Sequence, residues 1–227
     1  VVAWRAVSAD SHPIAGAFTF SVGNTSDPTS ALSDTLLTGE RQLTGASSVL
    51  VVGRWASYAG IAVSVGLLVC NVLLGAPLLQ RRFRRVVLAS VAIAVAGTVV
   101  MVAAQVATTV NRWVGIGEID AWQATLETDA GRWWAAHLIA VIAIGVTGLA
   151  STQVLARRRA LFAIFLVGCI GLFSLIAAGG HAISGRAVPL GFAATVIHLT
   201  AMTLWTGGLA TIALASRDLR FHVARRF

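Results

Sequence analysis

Charged residues are scarce in this chain, and cysteines are scarcer still. Only 11% of the 227 residues are Asp, Glu, Lys or Arg, whereas 57% are hydrophobic and the mean hydropathy is +0.82. Soluble domains carry about 25% charged residues, so this composition excludes a secreted β-protein, a DNA-binding domain and a cytosolic enzyme. The two cysteines, Cys70 and Cys169, cannot supply a disulfide framework. The chain is therefore expected to fold in a lipid bilayer.

Lysine is absent, and the 17 arginines separate apolar stretches instead of forming a patch for phosphates. Because a helix needs about 20 apolar residues to cross the hydrocarbon core, each of the five long charge-free windows between arginines can span a membrane. The sequence predicts an all-α polytopic membrane protein with a membrane domain at 51–216. Its five transmembrane helices are expected at about 55–80, 86–110, 133–156, 160–178 and 190–215.

The arginines also predict the orientation of the chain. Eleven of them fall on one side of the predicted membrane, and the other six fall on the opposite side with eight of the nine acids. Cytoplasmic loops carry an excess of Lys and Arg. The N-terminus is therefore expected outside the cytoplasm and the tail at 217–227 inside it. The eleven are Arg81, Arg82, Arg84, Arg85, Arg157, Arg158, Arg159, Arg217, Arg220, Arg225 and Arg226.

The segment before the spans has a different pattern. Residues 1–22 predict a β-hairpin, because two runs rich in strand formers flank a turn at Ser11, His12 and Pro13. A lone hairpin is marginal in water, so we expect it to be the end of a larger extracytoplasmic β-sandwich in a longer precursor. Residues 23–50 have the Gly, Ser, Thr and Asp content of a loop or flexible linker.

Two further patterns concern the membrane domain. Trp113, Ile116, Ile119, Trp122 and Leu126 recur every three or four residues, which predicts a short helix in the outer interface. Glycines within the spans, among them Gly145, Gly148, Gly168, Gly171, Gly207 and Gly208, are expected to permit close helix packing.

Histidine is costly inside a membrane, so its position is informative. Four of the five histidines lie on the predicted outer side or in the outer half of a span: His12, His137, His181 and His198. Met202 shares a helix face with His198, and Met101 lies at a similar depth on the second span. Imidazole and thioether groups suit copper, especially Cu(I).

Other roles remain open for several of these residues. A hydrogen bond to a neighbouring helix explains His137 equally well, and core packing is the commoner role of a single methionine such as Met101 or Met202. The cysteines are expected to be buried small hydrophobic residues. A different class of protein is also compatible with the pattern: a b-type cytochrome in which His137 and His198 ligate one haem.

Three segments resemble the copper resistance CopC/CopD family. WRAVSADSHPIAGAFTFSVG at 4–23 resembles the end of the CopC β-sandwich, where an Asp-x-His-Pro turn supplies Cu(II) ligands. GGHA at 179–182 and HLTAMTLWTGGL at 198–209 are similar to the CopD signature. The resemblance implies a CopC–CopD fusion, in a fragment that lacks most of CopC and the C-terminal part of CopD. It also implies that Asp10 and His12 are Cu(II) ligands and that His181 and His198 bind copper, as Cu(I) or Cu(II), in the membrane part.

The function implied by this resemblance is copper binding and its transfer or uptake across the bacterial cytoplasmic membrane, in copper homeostasis and resistance. The protein would be a transporter component and not an enzyme. Its expected partners are copper ions, the lipid bilayer and other copper-handling proteins outside the membrane, with no nucleic acid among them.

Overall fold

The computed structural model describes residues 2–7, 13–18, 30–74, 80–110, 113–157, 159–179 and 187–215. These residues form two β-strands, six α-helices and one short 3₁₀ helix at Trp113–Gly117. The strands are β1 (Val2–Val7) and β2 (Pro13–Phe18), and the helices are α1 (Ser30–Leu74), α2 (Gln80–Val110), α3 (Ile119–Leu126), α4 (Asp129–Arg157), α5 (Arg159–Ala178) and α6 (Val188–Leu214).

The two strands are antiparallel neighbours. Val2 pairs with Phe18, and Val7 pairs with Pro13. The turn between the strands, with Asp10 and His12, lies outside the described residues, and the larger β-sandwich stays a prediction.

The membrane class predicted from composition is confirmed. Four helical segments are long and apolar enough to cross a bilayer: Gly45–Leu73, Arg81–Thr108, Arg159–Ala178 and Val188–Leu214. A fifth crossing is formed only if α3 and Gly131–Gly148 of α4 count together, and these two segments meet at a bend of 92°. By length and composition, the described residues therefore contain four candidate spans, or five if the bent pair is one span.

The structure differs from the sequence prediction around the first span. From Ser30 onward the chain is helical where a linker at 23–50 was predicted, and α1 ends at Leu74 instead of residue 80. Residues 31–43 contain Ala, Leu, Glu, Gln and Arg, which favour helix strongly enough to outweigh the Ser and Thr between them.

The other helices lie close to their predicted positions, except that α2 begins earlier. It starts at Gln80, so Arg81, Arg82, Arg84 and Arg85 form its first turns with exposed side chains. Arginine has high helix propensity, and its long side chain keeps the charge at the surface while the backbone stays helical. The arginines therefore limit the apolar stretch, whereas the helix itself extends through them.

Helix α1 lies at the centre of the bundle and packs on α2, α4 and α6. It is also the most buried of the four spans. Its glycines allow other helices to approach closely: a Cβ on Gly60 would lie 2.5 Å from the Ser90 carbonyl oxygen of α2, and a Cβ on Gly66 would lie 2.7 Å from Gly207 Cα of α6. The predicted packing role holds for Gly145, Gly148 and Gly207, whereas Gly168 and Gly171 have nothing within 4 Å of an added Cβ.

A cap of short helices covers one end of the bundle, which we call the α3 end. It consists of the 3₁₀ helix and α3, which lie between the last turn of α2 and the first turn of α4. Ala121 and Thr125 face the bundle, whereas Ile119 and Leu126 are exposed. The short helix predicted between the second and third spans is present as two segments, with Trp113 and Ile116 on the 3₁₀ helix and Ile119, Trp122 and Leu126 on α3. Its place in the outer interface stays a prediction.

A Trp122→Phe substitution should loosen this cap. The indole Nε1 of Trp122 donates a hydrogen bond to the Ile116 carbonyl oxygen at 2.8 Å, and that bond ties α3 to the 3₁₀ helix. Its loss should cost about 1 kcal/mol, measured as a lower apparent melting temperature in detergent. Trp113→Phe is the control, because Trp113 lies on the same cap with 44% of its surface exposed. Equal melting temperatures for the two variants would contradict this role of the Trp122 bond.

Candidate metal centre

His137 lies at the junction of α1, α2 and α4, fully inside the bundle. Only 2% of its surface is exposed. Its Nε2 atom is 3.4 Å from Ser57 Oγ of α1, and Ser57 Oγ is 2.8 Å from Thr98 Oγ1 of α2. Thr98 Oγ1 also donates to the Ala94 carbonyl oxygen at 2.9 Å. We call Ser57, Thr98 and His137 the polar triad.

The polar triad forms because glycines allow the backbones of α1 and α2 to pack closely. A Cβ on Gly53 would lie 2.8 Å from the Met101 backbone nitrogen, and a Cβ on Gly97 would collide with the Ser57 backbone nitrogen. Small residues allow helix backbones in a membrane to approach this closely. At such a separation the short hydroxyl side chains of Ser57 and Thr98 reach one another directly.

Met101 lies one helical turn from Thr98 on the same side of α2, toward the α3 end. It is fully buried and packs with Trp134 of α4 and Val102, with Leu50 and Trp122 against this cluster. Trp134 in turn precedes His137 by one turn of α4. The thioether of Met101 and the imidazole of His137 therefore belong to adjacent layers of the same three-helix junction.

His198 and Met202 occupy a different part of the bundle. His198 is exposed on α6, whereas Met202 is half-buried against the main hydrophobic core. The α6 face predicted to carry both residues thus lies at the edge of the bundle, because α6 packs mainly on α1 and α5.

The haem pair considered from the sequence is not formed. His137 is enclosed by α1, α2 and α4, whereas His198 is exposed on α6. Axial haem ligation requires the two imidazoles to face one another across a common space. The cytochrome hypothesis therefore has no support.

Three of the predicted ligands, Asp10, His12 and His181, lie outside the described residues. Gly179, two residues before His181 in the sequence, is described and lies beside the first turns of α4. A Cβ on Gly179 would be 3.5 Å from both Trp133 Cβ and Trp134 Nε1. Within the described residues, no group of three or more His, Cys, Asp or Glu side chains is placed to hold a metal ion.

The sequence interpretation missed Ser57 and Thr98. The available signal was a small polar residue flanked by glycine in an apolar span, as in Gly53, Ser57 and Gly60 on α1 and Gly97 with Thr98 on α2. The expectation for the cysteines is confirmed, since Cys70 and Cys169 are both free and buried.

Comparison with known families decides the relationship of this chain. The family model described as copper resistance protein D-like, N-terminal domain, matches residues 44–192. The chain belongs to this copper resistance family. A second model, for the CopC domain, matches residues 1–23. The resemblance to the copper resistance CopC/CopD family is thereby confirmed.

The match to the copper resistance family covers the polar triad, Met101 and position 181, whereas His198 and Met202 lie beyond it. A similar protein is the copper transport protein CutJ of Bacillus subtilis strain 168, which is 26% identical over 250 aligned positions. The alignment includes 99% of this chain and 43% of the relative, so the chain spans about two fifths of that protein's length. No solved structure matches the chain.

Proposed function

We propose that this protein binds copper ions and transfers them across the bacterial cytoplasmic membrane, as a transporter component in copper homeostasis and resistance. The observation that carries the proposal is the copper resistance family match over residues 44–192, which includes most of α1, all of α2 to α5 and the first residues of α6. The name of the related copper transport protein agrees with it. In this proposal the protein is a carrier and not an enzyme.

The orientation in this proposal follows from the arginines. The N-terminal segment is extracytoplasmic, and the groups around Arg81 and Arg157 face the cytoplasm. The α3 end of the bundle then faces outward, as does the segment between α5 and α6 that contains His181. Copper ions and any copper-handling proteins outside the cell membrane would meet the protein on this side.

The ligands have distinct roles in this proposal. Asp10 and His12 bind Cu(II) in the CopC-like segment, because a carboxylate and an imidazole suit the divalent ion. His181 and His198 accept copper at the membrane, with Met202 as a thioether available on the same helix as His198. Gly179 lies against Trp133 and Trp134, which supports an entry point near the first turns of α4.

Metal analysis of the intact protein, purified in detergent after growth with copper, tests this function. Copper should accompany the wild-type protein, and a His181→Ala/His198→Ala double variant should hold less of it, because two imidazole ligands are removed. His222→Ala is the matched control, since His222 lies among the predicted cytoplasmic arginines and is not a proposed ligand. A wild-type protein without copper, or a double variant that retains all of it, would count against the proposal.

A further inference from the structure

We propose that His137 binds Cu(I) inside the membrane through its Nδ1 atom, with Met101 as the thioether partner and with Ser57 and Thr98 orienting the imidazole. The inference rests on the proposed function only for the identity of the metal. It adds a site within the bundle, separate from the outer ligands His181 and His198.

Burial of His137 calls for a role. An ionisable side chain inside a membrane bundle is costly, and it is retained where it binds, relays or pairs. The one hydrogen bond described for the imidazole joins Nε2 to Ser57 Oγ at 3.4 Å. An imidazole has two ring nitrogens, so this contact between helices accounts for one of them and leaves Nδ1 for a further partner.

The hydrogen bonds of the polar triad define which nitrogen of His137 is available. Thr98 uses its only hydroxyl proton on the Ala94 carbonyl oxygen, which cannot donate. Thr98 Oγ1 is then the acceptor of the 2.8 Å bond, and Ser57 is its donor. With its own proton used, Ser57 Oγ accepts from His137 Nε2–H. This order assigns the Nε2–H tautomer and leaves the lone pair on Nδ1.

That tautomer is the one a metal ligand needs. Histidines that bind metals nearly always donate their other ring N–H to a fixed acceptor, which sets the ring orientation and raises its basicity. Here the acceptor is the Ser57 hydroxyl, and Thr98 and the Ala94 carbonyl fix that hydroxyl in turn. Ser57 and Thr98 are thus positioning residues, because they act through His137.

The surroundings favour a soft monovalent ion. Met101 supplies a buried thioether in the adjacent layer, and thioether and imidazole groups together suit Cu(I). None of the four acids with described side chains, Glu118, Asp120, Glu127 and Asp129, is buried. A divalent cation would therefore enter this layer without an anionic ligand from those residues. Cu(I) has the smaller desolvation penalty and needs fewer ligands.

The site can be isolated by working in the His181→Ala/His198→Ala background under reducing conditions. Cu(I) is titrated into the intact protein in competition with the chromophoric chelator bicinchoninate. The double variant should retain a Cu(I) site, and adding His137→Gln should abolish it. Met101→Leu, which preserves volume, should remove the Cu–S contribution from the copper K-edge X-ray absorption spectrum and weaken binding.

The positioning residues give an independent measurement. Ser57→Ala should weaken Cu(I) binding about 10–100-fold, as loss of a supporting hydrogen bond to a ligand commonly does, while the Cu–S contribution persists. Ser174→Ala is the matched control, because the Ser174 hydroxyl donates to the Ile170 carbonyl oxygen of its own helix and, within the described part of the chain, to no other helix. Gel filtration of each variant shows that it is folded. If His137→Gln does not fold, the Cu(I) affinities and spectra of Met101→Leu and Ser57→Ala test the proposal instead.

The possible failures are distinguishable. If the wild type binds no copper, the proposed function fails and this site fails with it. The internal site is overturned if the wild type binds copper but the double variant binds no Cu(I). It is also overturned if the double variant keeps the same Cu(I) affinity and X-ray absorption spectrum after His137→Gln, or after Met101→Leu and Ser57→Ala, is added. In both cases the proposed outer ligands are unaffected. A Ser57→Ala variant that loses stability but keeps its Cu(I) affinity would show that the polar triad only stabilises helix packing. That result would also overturn the proposal.

Discussion

A Gly66→Leu substitution should prevent α6 from docking on α1 and sharply lower the apparent melting temperature of the protein. A Cβ on Gly66 would lie 2.7 Å from Gly207 Cα and would collide with the Thr203 carbonyl oxygen. Both neighbours are backbone atoms, so no side-chain rotation can relieve the collision and the two helices must separate. Overpacking of this kind costs about 1–3 kcal/mol and sometimes more. Fluorescence-detected gel filtration of heated samples measures the change.

The chain offers a matched control for this prediction. Gly171 also lies within an apolar span, but an added Cβ there has nothing within 4 Å. Gly171→Leu should therefore leave the melting temperature unchanged or raise it, because leucine favours helix over glycine by roughly 1 kcal/mol. Similar melting temperatures for Gly66→Leu and Gly171→Leu would show that the α1–α6 contact does not support the fold.

The positions of the spans could be predicted from the sequence because the requirement is local. A helix that crosses a bilayer needs a fixed length of apolar residues, and charge marks its limits. The window at 190–215 accordingly became α6 at Val188–Leu214. The start of α1 at Ser30 could not be predicted this way, since its first turns lie before the apolar window and carry Ser, Thr and Gly among the helix formers.

The site was predictable only in part. Counting residues along one helix predicts the depth of His137 in the membrane, but it does not predict that three helices enclose the side chain. Ser57 and Thr98 were not predictable, because they lie 80 and 39 positions from His137 and meet it only through the register of α1 and α2. Glycines at the crossing set that register, and a pattern within one helix does not record which glycine faces which helix.

The exposure of His198 could not be predicted from the sequence either, because it depends on contacts between helices. Its spacing with Met202 defines a shared helix face, but it does not specify what that face contacts. In the structure α6 meets the bundle along one edge, so Met202 packs against the core while His198 remains exposed. Tertiary contact therefore separates two residues that periodicity places together.

A Gly97→Val substitution should lower both the stability of the helix packing and the affinity for Cu(I). A Cβ on Gly97 would lie 2.7 Å from the Gly53 carbonyl oxygen and 3.0 Å from the Ala56 carbonyl carbon, and would collide with the Ser57 backbone nitrogen. The α1 backbone cannot yield locally, so α2 must move away and the 2.8 Å bond between Ser57 and Thr98 must break. His137 then loses the acceptor that fixes its ring.

The expected result is a lower melting temperature together with a Cu(I) affinity reduced at least as much as in Ser57→Ala, about 10–100-fold. Ser57→Ala itself should change stability by only about 1 kcal/mol, so the two variants separate the loss of orientation from the loss of packing. Gly168→Val is the control for valine in a span, since an added Cβ there has open space. A folded Gly97→Val protein with wild-type Cu(I) affinity would show that close approach of α1 and α2 does not orient His137.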